Sequence, residues 1–549
     1  MVNLEVKNTN MSSGMQAFPM NLASILEHAA RFHGDQEIVS RLASGGVHRY
    51  TYSDALTRSR QLANALQSYG IEVGDRVATL AWNEYRHLEA WYGIAGQGAI
   101  CHTVNPRLFP DQIRFIINHA SDRLIFVDPS FIGLLEEIQD EIPSIELFVV
   151  LSDKAQFPVT TLKNAIDYES FIADQSDVFS WAELDEESPS SLCYTSGTTG
   201  DPKGVLYSHR SNLLMAYASS SADAFNLSAL STVLMVVPMF HANSWGLVYS
   251  APMTGAKLVL PGPHLDGASV YDLVSSENVT FSAAVPTVWS MLLEHMTTNN
   301  LKLPDLKEVV IGGSAVPKAM IVRFKQDYGV DVLQAWGMTE LSPLGTLNRP
   351  KPATLKLDAD AQLKVAAKQG RAIFGVQMCI KDDDGLELPF DGKTSGRLMV
   401  RGPWVVKSYF RNDSVILDGD GWFDTGDIAT IDSDGFMQIT DRAKDIIKSG
   451  GEWISSVDLE NAAIGHPDVR QAAVIGVPHP KWEERPLLLV KLKDGASLDA
   501  QLIKEYLSGE VAKWWIPEDI RFVSEIPLTA TGKIDKKVLR SQFITSSDA

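Results

Sequence analysis

The sequence has little cysteine, no long apolar run and no excess of positive charge. Its three cysteines, Cys101, Cys193 and Cys379, lie far apart in 549 residues, and there is no CxxC pair. Neither a disulfide framework nor a cysteine-based zinc site is expected, and a reducing compartment fits best. No apolar stretch approaches the ~20 residues that span a bilayer. The N-terminal MVNLEVKNTN has no basic segment leading into an apolar run, and the final Ser-Asp-Ala is not a peroxisomal address. The expectation is a cytoplasmic protein without a membrane span. Acidic residues outnumber basic ones 68 to 48, a net charge of −20, which disfavours nonspecific binding to nucleic acid or anionic lipid. A local cluster of donors can still hold a small anion.

What is present is ordinary globular composition, 45% hydrophobic and 21% charged. The length allows three or four compact units at roughly 150 residues each. Apolar residues at helical spacing predict helices in LASILEHAARF and in DALTRSRQLANALQSYG, which ends at Gly70, with a strand in HRYTYS between them. Short apolar runs then alternate with helical patterns: DRVATLAW, RLIFVD, ELFVVL, AKLVLPG, VTFSAAVP, KEVVIGGS and DVLQAWG. That alternation predicts parallel strands in an α/β fold. From about residue 370 short strands and Gly/Asp turns take over, as in GRLMVRGP and GWFDTGD, and predict a β-rich subdomain. After Arg442 a tail of mixed helix and strand patterns is long enough for a small α+β domain.

The strongest motif is Tyr194-Thr-Ser-Gly-Thr-Thr-Gly-Asp-Pro-Lys-Gly-Val205. Gly197 and Gly200 let backbone N–H groups approach an anion. Thr195, Ser196, Thr198 and Thr199 add hydroxyl donors, and Lys203 adds a point charge. It is not a Walker A loop: counted from Gly197, Pro202 stands where Gly is required and Gly204 where Ser or Thr is required. The string resembles the phosphate loop of the adenylate-forming superfamily, which includes acyl-CoA synthetases, peptide-synthetase adenylation domains and beetle luciferase. The resemblance runs over nearly the whole chain, because later motifs recur in the family's order. Within it, QAWGMTE and HANSWG look most like medium- and long-chain fatty-acyl-CoA synthetases and methylmercaptopropionate-CoA ligases.

The resemblance implies roles residue by residue. Gln334-Ala-Trp-Gly-Met-Thr-Glu340 supplies Ala335, Trp336, Gly337, Met338 and Thr339 to the nucleotide and Glu340 to Mg²⁺, an ion that takes one or two carboxylates plus phosphate oxygens. Trp336 stands where the family usually has Tyr and still offers an aromatic face to adenine. Gly312, Gly313 and Ser314 end a strand run, where glycines permit close ligand approach. Gly313 and Ser314 are expected beside the nucleotide, and Gly312 and Gly313 beside the acyl chain. Asp427 matches the ribose-binding carboxylate and Arg442 its partner. Lys533, in LTATGKI, matches the lysine that steadies the attacking carboxylate and the α-phosphate. His241 and Trp245, four residues apart, are expected to share a helical face and line the acyl pocket with Trp336. Lys533, Glu340, Thr195, Thr339 and His241 form the implied catalytic set, although His241 is either a base toward the thiol or only a wall.

The resemblance also implies a large domain over 1–441, its β-rich part about 370–441, a hinge over 442–444 centred on Lys444, and a mobile small domain over 445–549. Lys448, Gly450, Gly451, Glu452 and Trp453 then face CoA. Sixteen residues follow Lys533, too few for a fused carrier domain. A free thiol such as CoA is therefore expected, with a separate carrier protein as the alternative. The expected reaction joins a carboxylic acid, ATP and CoA, with Mg²⁺. The acid is a medium-chain fatty acid or a short thioether acid such as 3-methylmercaptopropionate, with a long-chain fatty acid as the alternative. Homodimers are common in that superfamily.

Overall fold

The computed structural model describes residues 14–195, 201–412, 414–449, 452–528 and 534–544. Two sheets build most of the large domain. One has nine strands in the order Arg371–Ala372, Leu344–Leu347, Asp331–Gly337, Glu308–Ile311, Phe281–Ala284, Thr232–Leu234, Lys257–Leu260, Glu37–Arg41 and Val47–Thr51. Its six middle strands are parallel, and both edges turn antiparallel. The other has seven strands: Ala165–Asp167, Leu147–Val150, Leu124–Val127, Arg76–Leu80, Ile100–Thr103, Pro189–Tyr194 and Gly204–Ser208. All its pairs are parallel except the last. The apolar runs read from the sequence are these strands. They are apolar on both faces because helices cover both faces of a parallel sheet.

The helix Tyr85–Gln97 is buried at every position, as an element enclosed on all sides must be. It is pinned to the helix Leu247–Met253 by Trp91 Nε1 donating to Tyr249 Oη (3.2 Å) and Tyr92 Oη donating to the Val248 carbonyl (2.7 Å). The second predicted helix runs Tyr52–Tyr69. Thr51 and Asp54 form its capping box, and Gly70 closes it at φ +94°.

The β-rich segment is a four-stranded antiparallel sheet, Gln377–Lys381, Gly396–Arg401, Phe423–Ile431 and Met437–Arg442. The small domain has a five-stranded sheet centred on Val469–His479 and Glu483–Leu492. Period-two alternation splits its core. Ala472, Val474, Leu488 and Val490 face one side, with Leu459 and Leu507 of two helices. Ala473, Ile475, Leu487 and Leu489 face the other, with Leu539 of the helix Lys536–Phe543. Among the described residues, no helix is long and apolar enough to cross a membrane.

Candidate active site

One cleft of about 1100 Å³ lies where the large and small domains meet. Among the described residues its wall carries seven basic and five acidic side chains, an excess of positive charge in a chain whose net charge is −20. Thr195 and Lys203 enter it from the adjacent ends of the antiparallel strands Pro189–Tyr194 and Gly204–Ser208, where Thr195 N–H donates to the Lys203 carbonyl (2.9 Å). The motif therefore joins two antiparallel strands, whereas a Walker A loop leads from a strand into a helix. Ser196, Gly197, Thr198, Thr199 and Gly200 lie outside the described residues, as do Lys533, Gly450 and Gly451.

The strand Asp331–Gly337 delivers Ala335, Trp336 and Gly337 to the cleft, followed by Met338, Thr339 and Glu340. Gly337 is required by packing, because a Cβ there would lie 1.9 Å from the Pro343 carbonyl oxygen. Glu340 is 7% exposed. Its Oε1 accepts a hydrogen bond from Tyr409 Oη (2.9 Å), and burial pushes its carboxyl above the usual range. A buried carboxylate is costly without a cation. Glu340 therefore fits a divalent ion that is otherwise held by phosphate oxygens. No group of three or more His, Cys, Asp or Glu side chains able to hold a metal occurs among the described residues.

Trp336 does more than present a ring. Its Nε1 donates to Asp427 Oδ2 (2.9 Å), while Arg442 Nε pairs with Asp427 Oδ1 (2.7 Å). A tyrosine has no such indole donor, which gives the substitution in the WGMTE string a physical role. Asp427 is 1% exposed and sits behind the cleft wall formed by Asp424, Thr425 and Gly426.

The part of the lining around Trp245 is largely apolar: Phe240, Ala242, Gly312 and Gly313, with His241 beside them. A Cβ on Gly312 would meet the Trp245 ring at 3.1 Å, so the indole lies flush on the glycine backbone. The expected helical face shared by His241 and Trp245 does not form. Ala242, Asn243, Ser244 and Trp245 have φ of +43°, +57°, +52° and +52°, a left-handed turn of 3₁₀ type. Such a conformation costs about 1–2 kcal/mol per L-residue. Buried polar contacts compensate. Asn243 Nδ2 donates to Asn212 Oδ1 (3.1 Å), and Ser244 Oγ donates to the Val237 carbonyl (2.6 Å). Upstream, Asn83 Nδ2 donates to the carbonyls of Met235 and Val237, and its Oδ1 accepts from Met239 N–H. Strain held by surrounding structure is typical of functional sites.

Ser314 is exposed next to Gly313 and does not line the cleft, and neither do Lys448 and Trp453. Those two residues pair across the strands Ile447–Ser449 and Glu452–Ile454, elsewhere on the small domain; the Glu452 side chain is outside the described set. The small domain instead turns Ile534, Asp535, Lys536 and Arg540 to the cleft, beside Lys444. Arg540 pairs with Asp445 (2.7 Å). Burial holds the Lys444 ammonium below its ordinary range. Across the junction, Asp441 accepts from Ser456 N–H (2.5 Å) and Oγ (3.0 Å). The sequence reading missed Tyr409, Arg397 and Lys536. None of the three is marked out by its local string, and only the fold brings them to the cleft.

A family model described as AMP-binding enzyme matches residues 26–410, and its C-terminal domain model matches 458–533. The chain belongs to the AMP-binding enzyme family. This family member is 48% identical to a 3-methylmercaptopropionyl-CoA ligase of Ruegeria lacuscaerulensis, over 97% of this chain and 99% of that one. It is 49% identical to a medium-chain-fatty-acid–CoA ligase of Ectopseudomonas oleovorans, over 95% and 96%. Among solved structures, an anthranilate CoA ligase in complex with anthranoyl-AMP superposes at a TM-score of 0.85, with 26% identity over 97% of this chain and all of that one. That likeness extends to both domains, so the fold is that of adenylate-forming enzymes.

Proposed function

We propose that the cleft binds ATP with its phosphates toward Thr195, Lys203 and Glu340, and a medium-chain fatty acid or a short thioether acid such as 3-methylmercaptopropionate toward Trp245. The enzyme is an AMP-forming acyl-CoA ligase that works through an acyl-adenylate. The carrying observation is one continuous wall that joins Lys203, Glu340, Trp336 and Arg442 to the apolar end at Trp245.

In the first half-reaction a carboxylate oxygen attacks the α-phosphorus, the α–β bridging bond breaks, and pyrophosphate leaves. Two anions must approach, so Lys203 and Lys533 act by charge, and Thr195 and Thr339 by hydrogen bonding. Mg²⁺, held by Glu340, would supply further neutralisation of the phosphates. The ribose is assigned to the stretch of wall in front of Asp427, which Trp336 and Arg442 brace from behind, and the Trp336 face lies against adenine. In the second half-reaction the CoA sulfur attacks the acyl carbonyl, the carbonyl–phosphate bond breaks, and AMP leaves.

Lys533 and the thiol need the same approach, so the small domain turns about Lys444 between steps. The position of residues 534–540 on the cleft supports an arrangement suited to adenylation. Turning would bring Lys448, Gly450, Gly451, Glu452 and Trp453 to CoA. His241 lies at the junction of acyl pocket and thiol path, as a wall and as a candidate base. The fit of the Trp245 ring on Gly312 supports a pocket of limited depth, and hence a medium or short acid rather than a long one.

A screen of acids from two to eighteen carbons plus 3-methylmercaptopropionate, read by pyrophosphate, tests the substrate. An optimum at medium length or at the thioether acid is expected. An optimum at sixteen or eighteen carbons would replace this reading with a long-chain ligase.

A further inference from the structure

Tyr409 belongs to none of the motifs above, yet four contacts converge on its segment. Val406 N–H donates to the Glu340 carbonyl (2.8 Å), and Phe410 N–H donates to the Gly204 carbonyl (2.8 Å). Between these anchors, Tyr409 Oη donates to Glu340 Oε1 (2.9 Å), and the Lys203 ammonium lies 4.8 Å from the centroid of the Tyr409 ring. Residues 406–410 thus strap the neck of the phosphate loop to the motif that carries Glu340, two segments more than 130 residues apart in sequence.

We propose that Tyr409 is a positioning residue for the magnesium–nucleotide complex: its hydroxyl aims the Glu340 carboxylate and its ring seats the Lys203 ammonium. The inference rests on the reading of the cleft as an ATP site. The physical grounds are general. A carboxylate that ligates a metal performs best when a second partner fixes its rotamer. A lysine is a flexible point charge, and an aromatic face limits where its ammonium can settle. One side chain does both, so the cation that meets the phosphates and the anion that meets the metal are set relative to each other.

The test measures ATP binding to the full-length protein by calorimetry, in EDTA and across a Mg²⁺ titration, without the acid. Tyr409→Phe keeps the ring and removes the hydroxyl. It is expected to need about tenfold more Mg²⁺ for half of the metal-dependent tightening, with ATP affinity in EDTA within about twofold of wild type and an unchanged unfolding temperature. Tyr409→Leu, which removes the ring as well, is expected to weaken ATP in EDTA several-fold. In a Glu340→Gln background, Tyr409→Phe should add no further loss, because the partner it aims is gone. A Tyr409→Phe protein with the wild-type Mg²⁺ requirement would overturn the proposal. So would a lower unfolding temperature with unchanged Mg²⁺ dependence, or a full additional loss on top of Glu340→Gln. A wild-type protein whose ATP affinity ignores Mg²⁺ would instead overturn the reading of the cleft, and this inference with it.

Discussion

The two ends of the cleft are built on different physical terms. At the nucleotide end, side-chain donors hold the carboxylates: Trp336 and Arg442 brace Asp427, and Tyr409 braces Glu340. At the acyl end, Trp245 is placed by backbone conformation, a left-handed turn held by Asn243 and Ser244 and lying on a bare glycine. The lesson is that phosphate chemistry tolerates few residue types, whereas the shape of an apolar pocket can be set by many. Chemistry should then fail at single residues of the first end, while acid preference should shift at the second.

The largest effect separates the two half-reactions. Lys533→Ala is expected to lower adenylation by at least about 10²-fold, while thioester formation from supplied acyl-adenylate stays within a few-fold; rapid-quench assays of each step would show it. Equal losses in both would refute the turning of the small domain.

Asn243→Ala asks whether the ends are independent. It strips the buried amide that anchors the left-handed turn, at a cost of about 1–3 kcal/mol. The KM for the acid should rise roughly tenfold while the KM for ATP moves less than twofold. Matching changes in both would mean that the turn supports the whole cleft rather than its apolar end. A milder change, Gly312→Ala, places a methyl 2.9 Å from the Ala335 carbonyl oxygen and 3.1 Å from Trp245. Preference should shift toward shorter acids by about tenfold, measured as a ratio of kcat/KM values for two chain lengths.

The last effect, on stability and not on activity, lies outside both ends and serves as their control. His87 and His209 are fully buried, and burial lowers each imidazole to about 4. His209 Nδ1 accepts from Leu22 N–H (3.2 Å), which requires that nitrogen to be unprotonated. A pKa depressed in the fold means stability that is complete above the unfolded value near 6.5 and lost as pH falls toward 4. The unfolding temperature should therefore drop between those values, and His209→Gln should flatten the drop by up to about 3 kcal/mol. An unchanged slope would place the acid sensitivity elsewhere.

The difference between the ends also marks what the sequence revealed. The apolar runs became the strands of two large sheets because a parallel strand covered on both faces has little freedom in composition. The strings around Lys203, Glu340 and Arg442 pointed to one cleft, since glycines, hydroxyls and paired charges in that order have few other uses. Tyr409 was not legible, because VVKSYF is an ordinary half-buried stretch until the fold lays it on Lys203. Neither was the left-handed turn: HANSWG reads as a helical start, and nothing local announces that Asn212 and the Val237 carbonyl will hold it the other way. The indole bond from Trp336 to Asp427 joins residues 91 positions apart, beyond any local pattern.

The account depends on the α-phosphorus of ATP being the electrophile for the acid. The direct measurement supplies a carboxylic acid labelled with ¹⁸O in its carboxyl group, together with ATP and CoA, and finds the label by mass spectrometry. One ¹⁸O in the phosphate of AMP, with unlabelled pyrophosphate, is the predicted result. Label in inorganic phosphate, with ADP as the nucleotide product, would contradict it.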